Sequence, residues 1–260
     1  MLKKLTALVA TCLFATTFMA CDDETLDPKD SRSISRYFSK MKPPIQMSED
    51  QFVSFVKSDR SRIEQDTANM SLFLVVNPDY LNKPNTKGNA AISVAVNKQN
   101  PVVVKYLLDR GAKMNEKSGQ IGMTPLEDAA TRADTVGIFD MLIEAQKKAD
   151  PNLQNIGMAL HLAARYGALK NVQTLIENGA DANAKSNEGL TPLHESAKEG
   201  KQPVVEYLIS KKVEINPTDR DGYTPVDWAC AMGEGSTFPE IGKILKKAGA
   251  KHTAAWRAAQ

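Results

Sequence analysis

Cysteine is scarce in this chain: Cys12, Cys21 and Cys230 are the three present. Cys12 and Cys21 fall within or at the end of an apolar N-terminal run. No disulfide framework can form downstream of it, and the remainder must be held by packing. Histidine is equally rare, with His161, His194 and His252, too few beside one cysteine for a zinc site. There is no GxSxG elbow, no HExxH, no phosphate loop ending in GK[ST] and no CxxC pair. The sequence therefore reads as non-enzymatic, with no cofactor and no metal. An excess of charge is missing too: Lys3 and Lys4 supply the formal +2, and the rest carries 31 basic and 31 acidic residues. A balanced chain with no basic run lacks the footprint of a nucleic-acid binder.

What is present begins at the N-terminus. "MLKK" is a short positive start, "LTALVATCLFATTFMA" is apolar with small residues, and "CDDE" follows abruptly. That is the layout of a secretory signal, and the run is short for a mature spanning helix. "FMAC" resembles the bacterial lipoprotein cleavage box, with small Ala20 before Cys21, although Phe18 and Met19 are bulkier than that family prefers. The resemblance implies a signal peptide over residues 1–20 and lipidation of Cys21, acyl chains anchoring the protein on the periplasmic side of a bacterial membrane. Asp22 resembles the signal that retains such lipoproteins at the inner membrane. Residues 21–45 read as a tether, with Pro43 and Pro44 excluding a helix. Residues 46–81, from the capping-box spacing of Ser48 and Gln51 onward, read as a helical cap. Met41 and Met47 leave open an internally initiated cytoplasmic form.

Beyond residue 81 the chain repeats. "TPLHESA" (191–197) and "TPVDWAC" (224–230) are 33 residues apart; "MALHLAA" (158–164), "TPLEDAA" (124–130) and "AAISVAV" (90–96) continue upstream at 33 or 34. Asn115, Asn152, Asn183 and Asn216 close successive units on the same beat. A fixed period of this size means a solenoid whose units bury their apolar faces on one another. The TPLH words, alanine pairs, "VV..LL" stripes and "GAD.N" endings resemble the ankyrin repeat. The resemblance implies an all-α fold of helix pairs with β-turn fingers, about five units over residues 82–252, then a tail at 253–260.

Within that pattern Pro125, Pro192 and Pro225 suit first helical turns, and Gly111, Gly179 and Gly249 suit helix ends. Lys212 occupies the corresponding glycine position, which implies a strained turn. "DRDG" (219–222) is turn chemistry, since it lacks the distal ligands of a calcium loop. Extra residues fall in "EAQKKADPN" and around "GEGSTFPE", and insertions in solenoids usually map to loops. Cys230 reads as packing, and Trp228 either caps the solenoid or anchors a partner. By the resemblance, Thr191 and His194 hydrogen-bond each other and link units. His161 takes the same structural place with Met158 replacing the threonine.

Ankyrin arrays bind proteins through turn tips and the ends of inner helices. Carried onto this chain, that places partner contacts at Arg132, Arg165, Tyr166, Lys198, Glu199, Arg220 and Tyr223, with Lys87, Lys98, Glu188, Leu190 and Asp221 on the same face. A tethered, disulfide-free ankyrin array resembles immunity lipoproteins that neutralise toxins of type VI secretion, notably phospholipases. The resemblance implies a protein partner, a cognate lipase effector, bound by an otherwise monomeric array. The alternative is a periplasmic accessory that stabilises or positions an endogenous enzyme such as a catalase.

Overall fold

The computed structural model describes residues 74, 78–118, 122–132, 137–150, 156–231 and 238–258. The signal, Cys21, the tether and nearly all of the expected cap lie outside them. A 3-10 turn at Pro78–Leu81 leads into five helix pairs. The inner helices are α1 (Ala91–Asn97), α3 (Pro125–Ala130), α5 (Gly157–Tyr166), α7 (Pro192–Lys198) and α9 (Pro225–Ala231). The outer helices are α2 (Pro101–Asp109), α4 (Ile138–Ala149), α6 (Leu169–Glu177), α8 (Gln202–Ser210) and α10 (Pro239–Lys247). Residues 254–258 of the expected tail form a short helix, α11 (Ala254–Ala258). The described residues form no strand, only an isolated bridge between Ser118 and Met123.

Local sequence explains where the helices start. Thr124 caps α3 by accepting from Glu127 N, and the Glu127 carboxylate accepts from Thr124 N in return. Thr191 and His194 do the same for α7, so each motif satisfies two backbone donors that a bare helix start would leave unpaired. Asn100 caps α2 through Val103 N at 3.2 Å. Ala95, Ala130, Ala163, Ala164, Ala197 and Ala229 of the inner helices are fully buried. Small side chains let these helices stack closely, whereas the outer helices meet more sparsely. Val103, Leu107, Phe139, Leu142, Val172, Leu175, Val204, Leu208, Ile241 and Leu245 carry one continuous core through all five units.

The units are stitched by the asparagines that end them. Asn82, Asn183 and Asn216 each accept from a backbone N–H of the following unit, at 2.7–2.9 Å to Lys113, Glu214 and Lys251. The fingers touch directly where Arg220 N donates to Glu188 O at 3.1 Å. Gly189 permits that approach, since a Cβ there would lie 2.9 Å from Arg220 N. Lys212 adopts φ 58°, the left-handed conformation expected of it, and Gln99 adopts φ 52° at the turn where Gly167 and Gly200 serve later units.

One insertion is not a loop. α4 has 12 residues where α2, α6, α8 and α10 have 9 each. The extra length in "EAQKKA" extends the helix because Glu, Ala, Gln and Lys are strong helix formers. The "GEGSTF" segment lies outside the described residues.

Candidate functional site

The TPLH histidines come first, because they are the obvious candidates for chemistry. His194 is fully buried. Its Nδ1 accepts from Thr191 N at 3.0 Å and meets the Thr191 hydroxyl at 2.9 Å, while Nε2 donates to Tyr223 O in the next unit at 3.1 Å. Both ring nitrogens are committed, and burial lowers the pKa so that the ring stays neutral. His194 is an architectural link with nothing left over for proton transfer. His161 is also buried and neutral, its pKa lowered by desolvation, and it hydrogen-bonds the backbone of Ala184 in the following unit. With Met158 in place of threonine, its Nδ1 has no partner.

In the last unit the histidine slot holds Asp227, which is fully buried. The carboxylate receives His252 Nδ1 at 2.7 Å, Thr224 N at 3.0 Å, the Thr224 and Thr253 hydroxyls at 2.8 and 2.9 Å, and Thr253 N at 3.3 Å. Burial alone would raise its pKa, but these donors outweigh it and hold it below the usual carboxylate value. Trp256 of α11 stacks on the His252 ring at 3.9 Å. The cluster fastens α11 over the end of the array. The register that aligns His194 with position 227 was visible in "TPVD"; the carboxylate's partners 25 residues downstream were not.

The inner face gathers the expected contact residues. Arg165 forms a two-pronged pair with Glu195, Nε to Oε2 and Nη2 to Oε1, both at 2.9 Å. Glu195 is 3% exposed and Arg165 42%, so the arginine is a strut from α5 to α7 with one edge in solvent. The hydrogen bond to Glu195, against the cost of burial, raises its pKa. One unit on, Lys198 repeats the geometry with a different partner, its Nζ 4.4 Å from the Trp228 ring centre. Trp228 also donates to Asp219 Oδ2 at 2.8 Å and meets Tyr223 edge-on at 6.4 Å. Trp228 is thus held inside the terminal unit by three neighbours. Arg132 pairs with Asp128 at 3.2 Å, and its backbone carbonyl accepts from Asn171 at 2.8 Å.

Tyr166 is different. It is 54% exposed at the end of α5, the most exposed large apolar or aromatic side chain described. Glu199 at the end of α7 and Arg220 at the last finger are exposed as well. Leu190, placed on this face from the sequence, is 2% exposed and belongs to the finger base. Sequence reasoning missed Glu195 and Asp219 as organisers of the face and left Trp228 between capping the solenoid and anchoring a partner, because its pattern marks positions and not which side chains meet between units. No group of three or more metal-ligating side chains occurs among the described residues. An open groove between α2 and α4 is lined by Leu108, Met114, Met141 and Ala145 together with charged residues, and no serine, cysteine or histidine lines it among the described residues.

Residues 63–155 and 160–255 match the family described as ankyrin repeats (3 copies), and the first match begins inside the segment read as a cap. The chain is 31% identical over 109 residues to the mouse B-cell lymphoma 3 protein homolog, covering 42% of this chain and 24% of that protein. It is 35% identical over 111 residues to human ankyrin repeat and SOCS box protein 3, covering 40% and 20%. Alpha-latroinsectotoxin-Lt1a of Latrodectus tredecimguttatus is 35% identical over 118 residues, 45% of this chain and 8% of the toxin. The chain therefore spans under a quarter of the length of these relatives.

Proposed function

Because the chain belongs to the ankyrin-repeat family, we propose that it is a protein-binding module that engages its partner through the inner face, with Tyr166 as the central anchor. The observation that carries this reading is the contrast on that face. Arg165, Lys198 and Trp228 are tied into the array, whereas the Tyr166 ring stands half in solvent at the end of α5. An exposed aromatic on a pre-organised surface is the residue type that anchors interfaces at low entropic cost.

The finer reading places this module in a bacterial envelope. The "FMAC" box motivates lipidation at Cys21 and a periplasmic address, with Asp22 favouring the inner membrane. An array tethered there would meet a membrane-attacking lipase where the toxin arrives, at raised effective concentration, and act as its immunity protein by covering the active-site mouth.

The test is affinity capture with the tagged full chain from the source cells, followed by lipase assay of what is retained. A near-stoichiometric lipase that loses activity when bound supports immunity. A housekeeping enzyme retained with full activity would overturn immunity in favour of an accessory role. Incorporation of labelled palmitate that vanishes in Cys21→Ser checks the anchor separately.

A further inference from the structure

The outer side of the last two units is basic, although the chain as a whole is balanced. No Asp or Glu follows Glu240, whereas Lys246, Lys247, Lys251 and Arg257 do. Lys246 and Lys247 end α10, Lys251 lies in the turn beyond it, and Arg257 is on α11. Lys211 and Lys212 follow α8, which packs beside α10. The two turns are joined, since Asn216 Nδ2 donates to Gly249 O at 3.1 Å and Lys251 N donates to Asn216 Oδ1 at 2.7 Å. Asp227 holds Thr253, and Trp256 stacks on His252, so α11 is fixed against the same end. All six cations are exposed, and none forms an ion pair among the described residues. Lys211 lies 5.2 Å from the Tyr207 ring centre, a contact that leaves its charge in place.

The anions around them do not balance this charge. Glu240 pairs with Lys243 at 2.8 Å at the start of α10, and buried Asp227 is satisfied by the donors described above. Glu206, within α8, and Glu214, in the turn after it, are the exposed carboxylates left beside the six cations. Glu234 lies outside the described residues. Helix dipoles favour a cation at each outer helix end, but that preference does not make the cluster. α6 ends in Glu177 with Asp181 in its turn, and Lys251 belongs to no helix. Lys212 moreover holds φ 58°, where the equivalent turns use Gly111, Gly179 and Gly249.

We propose that this end of the array rests on an anionic phospholipid surface, with these six side chains among the headgroups. Five of the six are lysines, flexible point charges that suit a fluid layer of phosphates. A fixed carboxylate on a protein partner is better matched by the planar fork of arginine. The cations are also spread over two helix ends, a turn and α11 rather than gathered around a pocket. Tyr166 ends an inner helix, and the short turn to α6 reverses the chain, so outer-helix ends lie at the opposite end of the helix pairs. The array can therefore touch a bilayer and keep its inner face open, and the inference does not rest on the protein-binding reading.

The experiment uses the full chain carrying Cys21→Ser, so that no acyl chain contributes, and flotation with two kinds of vesicle. One is phosphatidylcholine alone; the other contains about one-third phosphatidylglycerol. The N-terminal apolar run is common to every arm, so the difference between vesicles is what counts. Binding should be stronger to the anionic vesicles, and Lys246→Gln, Lys247→Gln, Lys251→Gln together should remove about fivefold of that advantage per lysine. Lys87→Gln, Lys98→Gln, Lys105→Gln changes net charge equally and should leave it intact. Circular dichroism checks that both variants are folded. Acetylation footprinting gives a reading without substitution: Lys246, Lys247 and Lys251 should be protected by the anionic vesicles and not by phosphatidylcholine. About half-molar salt should abolish the difference. Equal binding to both vesicles, equal losses in both triple variants, or no protection of these lysines overturns the proposal. So does release by inorganic phosphate at constant ionic strength, or an acidic protein that takes these lysines in preference to vesicles. Failure of the protein-binding reading has its own signature, a chain that captures no protein from the source cells.

Discussion

At the scale of single residues, the histidines show how one motif position is used in three states of completion. His194 has both ring nitrogens bonded, His161 has one, and Asp227 replaces the ring with a carboxylate that ties down the chain end. The unpaired Nδ1 of His161 is a buried polar atom left without a partner, a defect that costs about 1–3 kcal/mol. Met158→Thr restores the missing hydroxyl and is expected to raise stability by about 1 kcal/mol in urea unfolding; a loss would show that the start of α5 cannot accommodate the motif. Both buried rings have pKa values lowered from 6.5 by desolvation. The unfolded chain then binds protons more tightly than the folded one, so their neutral forms stabilise fully above pH 6.5 and progressively less as pH falls below it. Unfolding midpoints measured from pH 8 down to pH 5 should decline below about 6.5, and a flat profile would contradict this assignment.

At the scale of elements, cross-unit contacts decide what a side chain is for. Arg165 looked like a partner contact because it ends an inner helix, yet its guanidinium spans to a carboxylate that is 3% exposed. Arg165→Met unpairs a buried charge and is expected to cost about 2 kcal/mol, discounted for the arginine's solvent-facing edge. Adding Glu195→Leu should recover most of that loss in thermal unfolding, because the isolated charge is then gone. If the double variant is no more stable than the single one, the pair is not the strut described. Any loss of binding in Arg165→Met must therefore be read beside its stability. The repeat, the inner and outer helices and the turn glycines were legible from periodicity and turn chemistry, which are local. Lys198 over Trp228 and Asp227 reaching Thr253 were not, because those pairs depend on which residue the neighbouring unit presents. The longer α4 was missed for a related reason: the extra residues were placed in the right segment, but helix formers took them into the helix.

At the scale of the molecule, the fold is one-dimensional, and each unit is stabilised by its neighbours. The C-terminal unit has a neighbour on one side, and α11 with the Asp227 cluster covers the other. Ending the chain at Lys251 removes His252 and Thr253 and leaves the buried carboxylate with Thr224 as its remaining donor. The expected loss is about 2 kcal/mol. It should appear in amide exchange as faster opening of α9 and α10 than of α3 and α5; uniform acceleration would mean that the array opens as a single block. The exposed Tyr166 and the fixed struts around it are what the array offers to a partner. The most direct test of that account is a binding isotherm between the captured partner and three chains: the unaltered one, Tyr166→Ala, and Lys243→Ala on the outer face. The account predicts that Tyr166→Ala weakens binding by about 2 kcal/mol, roughly thirtyfold, with unchanged stability, while Lys243→Ala binds as before. Equal affinities for all three chains would contradict an interface on the inner face.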